Sequence, residues 1–416
     1  MKTLVTVKLV LTLGLFLLVS MTYAQGRRPV VWVGGLNEGN EFWANYATLF
    51  QQERQMNSDR DSYSAASRAG VNGMAAIVRT HGAVGGNSLG IGHSMGGVAL
   101  REVDRNDPNR FSAYITMGSP MNGTQVAVSV LNGSLRVAID DGVGRMLAGP
   151  NANSLAIPFV DGLLVDDFVR KIGKAISPEV NTFGRQTLTD LSPGSAYMQG
   201  IRNFAGNVPA VSIQGVENGP VHWRIATSAM QGEGNAVEDD EKLVQTANRF
   251  YDFYNAHYIA NLAGGPLFWY FANKWKQGRD YIRDQSEPDY LNIIGARRVE
   301  IIDYPYQNYL CGNEGFEYNQ YRECIADANY NNGDPRECDH WCWQTGTYQV
   351  SVTIEELSDA FITASSQIGQ GTAWQRSAGD IYRAEGANHL QQSNHSQVTL
   401  QFNRIFNRND RFFRIP

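Results

Sequence analysis

The chain has 416 residues, of which 43% are hydrophobic and 18% are charged, with a net charge of −6 and a pI near 5.7. This is the composition of a globular protein with a large buried core, and the length suggests two or three domain-sized units. A mildly acidic chain with no basic stripe and no block of like charge argues against nucleic acid as a partner.

The N-terminus has the pattern of a secretory signal. Lys2 and Lys8 lead into an apolar run, Leu9–Val19, and small residues precede a cleavage position after Ala24. The alternative is a membrane anchor, but the run is shorter than the roughly 20 residues that a membrane-spanning helix needs. We therefore expect residues 1–24 to be removed and the mature protein to be soluble and secreted or periplasmic.

The first half of the chain alternates short apolar runs with segments of helical spacing. The β-branched run Pro29–Val33 ends in a glycine loop, Gly34–Asn37, which predicts a buried strand followed by a functional loop. The other predicted elements are strands at 111–117 and 208–215, helices at 41–52, 65–78 and 101–107, and a mostly helical stretch at about 126–207. This alternation predicts an α/β fold with a mainly parallel sheet and helices on both faces, in which functional loops gather at the carboxyl ends of the strands.

A sharp turn is predicted at Gly92-His93-Ser94-Met95-Gly96. An apolar run precedes these residues and helical spacing follows them, so the segment has the pattern strand, turn, helix, with Ser94 at the apex. Glycines two positions before and after the serine let the helix lie close to the strand. A chain with 42 glycines can contain this motif by chance, but the flanking residues favour a nucleophile elbow.

A serine nucleophile needs a base to accept its proton and a carboxylate to orient that base. The chain order serine, acid, histidine directs the search to the C-terminal region, where a strand is predicted at 381–383 and a helix at 397–406. His389 follows the small-residue loop Gly386-Ala387-Asn388 after that strand. It is therefore preferred as the base over His395, for which a place in the first turn of the last helix is expected.

Two acids remain open on physical grounds. Asp359 precedes the apolar pair Phe361 and Ile362, which would hold it at the end of a strand. Glu217 lies just beyond the strand that ends at Gly215. Either carboxylate could reach His389.

The region 216–349 lacks the α/β rhythm and is predicted to be an insertion that overhangs the catalytic face as a cap. Aromatic residues crowd into 250–275; they could line an acyl pocket, although ordinary packing is the preferred interpretation. The predicted organisation is a signal at 1–24, a first core part at 25–215, the cap at 216–349 and a last core part at 350–416. A β-branched strand, Tyr348–Thr353, is predicted where the last core part begins.

All four cysteines, Cys311, Cys324, Cys338 and Cys342, lie in this inserted region. In an exported chain they predict two local disulfides, and pairing of sequence neighbours, Cys311 with Cys324 and Cys338 with Cys342, is the simplest of three possible arrangements. A zinc site is less favoured because no C-x-x-C pair is present and His340 is the nearest histidine.

With these residues in place, the chain resembles the α/β-hydrolase superfamily, and within it the bacterial secreted lipases and esterases. The similar segments are Gly92–Gly97, Ile115–Pro120 with Gly123-Thr124, Asp359–Ile362 with Ser365-Ser366, and Asn388–Leu390 with Gln397-Val398. The resemblance implies Ser94 as nucleophile, Asp359 rather than Glu217 as the acid, and His389 as the base.

Two departures from that family's pattern concern the site. The chain has Gly34-Gly35 where the family usually has His-Gly, which bears on the conformation of the oxyanion loop. Gln391 stands where many such lipases have a calcium-binding aspartate, so neither calcium at that position nor a cofactor is expected. The acidic residues Asp334, Glu337 and Asp339 are expected to form a solvated loop rather than a cation site.

The sequence thus predicts hydrolysis of carboxylic esters, with the amides of Leu36 and Met95 binding the oxyanion. An ester or lipid is the expected substrate, with transient contact at a lipid interface. Acyl transfer uses the same groups and is an open alternative. An inactive hydrolase fold that serves as a secreted binding protein is the third hypothesis.

Overall fold

The computed structural model describes residues 27–61, 63–80, 87–154, 184–218, 240–309, 316–331, 334–341 and 343–416. The predicted signal, residues 1–24, lies outside these ranges. The chain forms two compact units, one comprising residues up to Ala296 together with Glu356–Pro416 and the other comprising Arg297–Glu355. Among the described helices, none has both the length and the apolar character needed to cross a membrane.

The strands in the described ranges are β1 (Arg28–Val33), β2 (Met56–Asp59), β3 (Leu89–His93), β4 (Ala113–Met117), β5 (Ala210–Val216), β6 (Arg297–Tyr309), β7 (Trp343–Glu355) and β8 (Ile381–Glu385). The helices are α1 (Ala44–Glu53), α2 (Gly70–Thr80), α3 (Met95–Asn106), α4 (Gln125–Leu131), α5 (Ser134–Ser154), α6 (Arg185–Leu191), α7 (Ala196–Arg202), α8 (Asp240–Ala263), α9 (Trp269–Asp280), α10 (Ser286–Ile293), α11 (Phe316–Tyr330), α12 (Ala364–Gln367) and α13 (Ser396–Phe406).

The first unit is built on a six-stranded sheet in the order β2-β1-β3-β4-β5-β8, in which every pair of neighbours is parallel. Residues alternate between the two faces of each strand. In β1, Val31 and Val33 pack with α2 and α3 on one face, and Val30 and Trp32 pack with α1 and α13 on the other. The predicted fold class, a parallel sheet with helices on both faces, is confirmed.

Strand β2 has no counterpart among the predicted elements. Its sequence, Met56-Asn57-Ser58-Asp59, is largely polar, and only Met56 is buried. An edge strand is paired on one side and half exposed, so it does not need the apolar run by which the central strands are recognised.

Part of the aromatic region packs within the first unit. Tyr254 of α8 and Trp275 of α9 are buried against Met146 and Leu147 of α5, with the two aromatic rings 5.1 Å apart and nearly perpendicular. For these two residues the structure gives ordinary core packing, which is the interpretation that the sequence favoured over an acyl pocket.

The second unit contains the antiparallel pair β6 and β7, with α11 between them in sequence. The strand predicted at 348–353 is part of β7, but its partner is β6 and not a strand of the parallel sheet. The alternating β-branched pattern identifies a strand without specifying its partner.

The disulfide joins Cys324 to Cys338, with 5.7 Å between their Cα atoms. The predicted pairing of sequence neighbours is therefore wrong; Cys311 and Cys342 lie outside the described residues. Cys324 is on α11 and Cys338 is in the turn Pro335–Trp341, which packs back on that helix. Chain reversal after α11 brings the two thiols together, although another pairing is shorter in sequence.

Candidate active site

Ser94 lies at a strained turn between β3 and α3. Its φ is 51° and its ψ −128°, a conformation that non-glycine residues rarely adopt, and its N–H donates to the carbonyl of Met117 at the end of β4 (2.9 Å). A Cβ on Gly92 would lie 2.5 Å from the amide nitrogen of Gly97, and one on Gly96 would collide with backbone carbonyls of the loop after β1. The glycines are therefore required by the close approach of α3 to the sheet, as the sequence pattern predicts.

His389 and Asp359 form a buried pair. Nδ1 of His389 lies 2.8 Å from Oδ2 of Asp359, and the backbone N–H of His389 also donates to the carbonyl of Asp359 (2.7 Å). Asp359 is fully buried and His389 is 8% exposed. Because an ionised carboxylate only accepts hydrogen bonds, Nδ1 carries the proton and Nε2 is left as the basic nitrogen.

The loop that carries Asp359 is itself tightly fixed. Oδ1 of Asp359 accepts the amides of Phe361 (3.1 Å) and Ile362 (2.8 Å), and Ala360 between them has a φ of 78°. Oδ2 accepts a further hydrogen bond from Nε2 of Gln392 (3.0 Å) in addition to that from His389. The carboxylate is thus oriented by four donors from two loops.

Sequence reasoning missed Gln392. A buried amide three residues after the histidine carries no motif, and its contact with Asp359 depends on the tertiary approach of two loops. The available signal was its position, since residues that flank a catalytic histidine lie within reach of the acid that orients it.

The rival acid, Glu217, lies elsewhere. It is buried at the end of β5, where its N–H donates to the carbonyl of Ser358 (2.7 Å) and its Oε1 accepts the amide of Asn218 (2.8 Å). The carboxylate on Nδ1 of His389 is that of Asp359. His395, the alternative histidine, is the N-cap residue directly before α13, and its Nδ1 accepts the amide of Gln397 (3.2 Å).

The His389–Asp359 pair lies at the carboxyl ends of the parallel strands, as Ser94 does. The imidazole of His93, next to the serine, has its centroid 4.5 Å from that of His389. A Cβ on Gly118, which directly follows β4, would lie 2.9 Å from Oδ2 of Asp359. The carboxyl ends of β3 and β4 therefore bring the three predicted residues into one region, with Ser94 partly exposed among buried neighbours.

The loop after β1 packs against the serine. A Cβ on Gly35 would lie 2.6 Å from the Cβ of Ser94, and Asn37, two residues later, has a φ of 58°. Leu36 is half-buried between them. Met95 is the first residue of α3, where a backbone N–H has no acceptor within the helix.

A second buried pair, Glu38 and His93, lies behind this loop and was not predicted. Nδ1 of His93 donates to Oε1 of Glu38 (2.7 Å), and the amide of Gly35 donates to Oε2. Complete burial lowers the pKa of His93 below its usual value of 6.5, although the Glu38 carboxylate opposes this effect. The available signal was a charged residue next to the glycine loop after the first predicted strand, together with a histidine that directly precedes Ser94.

The chain thus has a parallel sheet in the order given above, with a strained serine directly after β3. A histidine follows β8, the last parallel strand. The fold is that of an α/β-hydrolase. Within the described ranges, no group of three or more histidine, cysteine or acidic side chains is arranged to hold a metal ion.

The sequence matches no protein-family model and no curated protein. Among solved structures, the chain is similar to an extracellular α/β-hydrolase from a Paenibacillus species, described as sharing structural and functional homology with tobacco salicylic acid binding protein 2. The identity is 14%, the TM-score 0.26, and the coverage 45% of this chain and 76% of that one.

It is also similar to the N-formylmaleamic acid deformylase of Pseudomonas putida S16, with 15% identity, a TM-score of 0.21, and coverage of 49% of this chain and 81% of that one. The sheet order and the strained serine turn of the chain itself give the α/β-hydrolase fold.

Proposed function

We propose that the protein is a serine hydrolase that cleaves carboxylic esters through an acyl-enzyme, with Ser94 as nucleophile, His389 as base and Asp359 as the acid that orients the base. The observation that carries this proposal is the buried hydrogen bond from His389 to Asp359 (2.8 Å) at the edge of the sheet where the strained turn presents Ser94. Strained backbone and buried pairs of titratable groups both cluster at functional sites.

The chemistry follows from the protonation of that pair. Nε2 of His389 takes the proton from Oγ of Ser94 as Oγ attacks the ester carbonyl, and returns it to the departing alcohol. Asp359 holds the imidazole in the required tautomer and stabilises the imidazolium. The amides of Leu36 and Met95 stabilise the oxyanion, and water then releases the acid by the same steps.

Two further features belong to this proposal. The resemblance to secreted lipases and the signal pattern at residues 1–24 support an exported enzyme that acts on lipid-like esters. The segment 259–270 supports transient contact with a lipid surface, because its apolar and aromatic side chains are exposed; they are Ile259, Leu262, Phe268, Trp269 and Tyr270. Tryptophan and tyrosine are favoured where an apolar phase meets water.

The decisive experiment combines turnover with labelling of the nucleophile. The purified chain is assayed on p-nitrophenyl esters of increasing acyl length, and a fluorophosphonate probe is located by peptide mass spectrometry. We expect ester turnover, labelling at Ser94, and loss of both in Ser94→Ala with the melting temperature unchanged. Turnover that survives this substitution would overturn the assignment of the nucleophile.

The same assay separates the alternatives. Adding a primary alcohol to the reaction shows acyl transfer if the alkyl ester accumulates in preference to the free acid. A chain that neither labels nor turns over any ester of the series would overturn the proposed activity and favour the inactive binding protein.

A further inference from the structure

The side chain of Glu38 closes the loop that follows β1. It is 7% exposed, its Oε2 accepts the amide of Gly35, and its own N–H donates to the carbonyl of Gly35 (3.4 Å). The carboxylate therefore binds the loop from inside, across a turn that contains Leu36 and Asn37.

The same carboxylate connects this loop to the nucleophile turn. Oε1 of Glu38 accepts Nδ1–H of His93 (2.7 Å), and His93 directly precedes Ser94. The His93 ring is completely buried and stacks on Phe42, with 4.3 Å between the ring centroids. Two loops that are remote in sequence are thus joined through one pair of side chains.

Gly35 is the point at which the loop touches the nucleophile. A single Cβ position on Gly35 would lie 2.6 Å from the Cβ of Ser94 and 3.0 Å from each carboxylate oxygen of Glu38. Ser94 and the Glu38 carboxylate therefore pack against the same open side of this glycine. The amide of Leu36, the next residue, owes its position to how Gly35 is held.

The loop needs such support because its backbone is intrinsically free. Gly34 and Gly35 have no Cβ to restrict them, and Asn37 occupies the left-handed region with a φ of 58°. On the outer side of the loop, Nε–H of Arg68 donates a hydrogen bond to Oδ1 of Asn37 (3.1 Å). On the inner side, a buried carboxylate is costly unless it is paired, and here its partners are Gly35 and His93.

We infer that Glu38, held in turn by His93, is a positioning residue that fixes the loop Gly34–Asn37 against Ser94 and so keeps the Leu36 amide at the oxyanion. The inference rests on the proposed ester hydrolysis. Glu38 acts through the backbone of the loop, and His93 holds Glu38 while lying beside the His389 ring, with 4.5 Å between the ring centroids. A donor that is fixed in advance stabilises the transition state without a reorganisation cost at the moment of reaction.

The first test is Glu38→Gln, with Glu41→Gln as the matched control, since Glu41 lies three residues further on and is exposed. Gly35 and His93 donate to different oxygens of Glu38, so in glutamine one of those two positions becomes an NH₂ donor and one of the two hydrogen bonds is lost. We expect kcat per titrated active site to fall about 10²-fold in Glu38→Gln, with KM changed less than about twofold, and no change in Glu41→Gln. Binding of a trifluoromethyl ketone, which forms a tetrahedral adduct with the serine, is expected to weaken by the same factor as kcat.

The second test uses a pair of variants of His93. Asn and Leu have nearly the same shape and both remove the ring, but Asn keeps an N–H in the position of Nδ1. We expect His93→Asn to retain at least tenfold more kcat than His93→Leu. Combining His93→Leu with Glu38→Gln is expected to cost little beyond Glu38→Gln alone, because both changes break one connection.

Hydrogen exchange separates the possible failures. Glu38→Gln is expected to accelerate exchange of the amides of residues 35–37, whereas Glu41→Gln is not. If wild type shows Ser94-dependent turnover while Glu38→Gln keeps its kcat and adduct affinity and only lowers the melting temperature, the residue is merely structural and the inference is overturned. A wild-type chain without Ser94-dependent ester turnover would overturn the proposed function itself, and with it the oxyanion role, whatever the exchange data show.

Discussion

Single residues in this protein have their roles decided by hydrogen-bond partners rather than by residue type. Asp359 and Glu217 are both buried carboxylates near ends of elements of the first unit. Oδ2 of Asp359 accepts Nδ1–H of the His389 imidazole, whereas Oε1 of Glu217 accepts the backbone amide of Asn218. Only the first arrangement can pass a change of charge to a reacting group.

This difference predicts that two equivalent substitutions, each of a carboxylate by its amide, change kcat/KM by very different amounts. Asp359→Asn is expected to lower kcat/KM by about 10³- to 10⁴-fold, because the amide no longer supports the required tautomer or stabilises the imidazolium. Glu217→Gln is expected to change it less than about threefold, since the carboxylate on Nδ1 of His389 is that of Asp359. Steady-state kinetics on a short-chain ester measure both, and the reverse ranking would give the acid role to Glu217.

At the scale of elements, the contact between β3 and α3 controls the site. Gly96 lies where a side chain would meet the carbonyls of Val33 and Gly34, so the helix reaches the sheet only because this residue has no Cβ. The strain at Ser94 is maintained by buried packing on both sides, with β3 and nearly all of α3 inaccessible to solvent.

Gly96→Ala is therefore expected to destabilise the first unit by about 2–3 kcal/mol. A shift of the serine by about 1 Å would also lower turnover about 10²-fold. Gly200→Ala in α7 is the control: a Cβ there meets nothing within 4 Å, and the change is expected to stabilise by about 0.5–1 kcal/mol. Urea unfolding and ester turnover measure the two effects, and equal stabilities for the two variants would contradict this account of the turn.

The disulfide belongs to the same scale. It closes a loop with a sequence separation of 14 residues between Cys324 on α11 and Cys338, all within the second unit. Replacing both cysteines by serine is expected to remove about 3 kcal/mol from the stability of that segment.

The parallel sheet should be unaffected, because the disulfide closes no loop that includes it. Hydrogen exchange of the α11 amides is expected to accelerate, while the amides of α3 serve as the internal reference. Parallel acceleration in both helices would show that the two units unfold as one.

For the whole molecule, the buried His93 makes the free energy of unfolding depend on pH. Burial lowers the pKa of His93 in the folded state, whereas in the unfolded chain it returns to about 6.5. Below about pH 6.5 the unfolded state therefore binds a proton that the folded state does not, and stability is lost as the pH falls toward the folded value. The groups that act on the ring are Glu38 and Asp359, which favour its protonation, and His389, which opposes it.

We expect the free energy of unfolding to fall between pH 7 and pH 5, by at most about 1.4 kcal/mol per pH unit from this one residue. His93→Asn, which has no titratable group at this position, should show a shallower dependence over the same range. Urea titrations at several pH values measure both slopes, and identical slopes would rule out His93 as the source.

The sequence by itself determined the elements with strong local signals. Apolar runs identify β1, β3 and β4, and the spacing of glycines around Ser94 identifies the turn, because both depend only on near neighbours in the chain. The choice of Asp359 as the acid came from a resemblance between segments. In the structure, the carboxylate of Asp359 accepts a hydrogen bond from Nδ1 of His389. Its role in catalysis stays a prediction.

Only the tertiary structure decided which parts meet. The partner of β7, the Cys324–Cys338 disulfide, the contact of Gln392 with Asp359 and the bridge from Glu38 to His93 all join residues whose local sequences carry no mark of one another. The polar edge strand β2 escaped detection for a related reason: among the described strands it pairs with β1 alone, and most of its side chains stay accessible to water. Local sequence specifies the conformation of a segment, whereas these contacts depend on the global arrangement that buries apolar surface while pairing most buried polar groups.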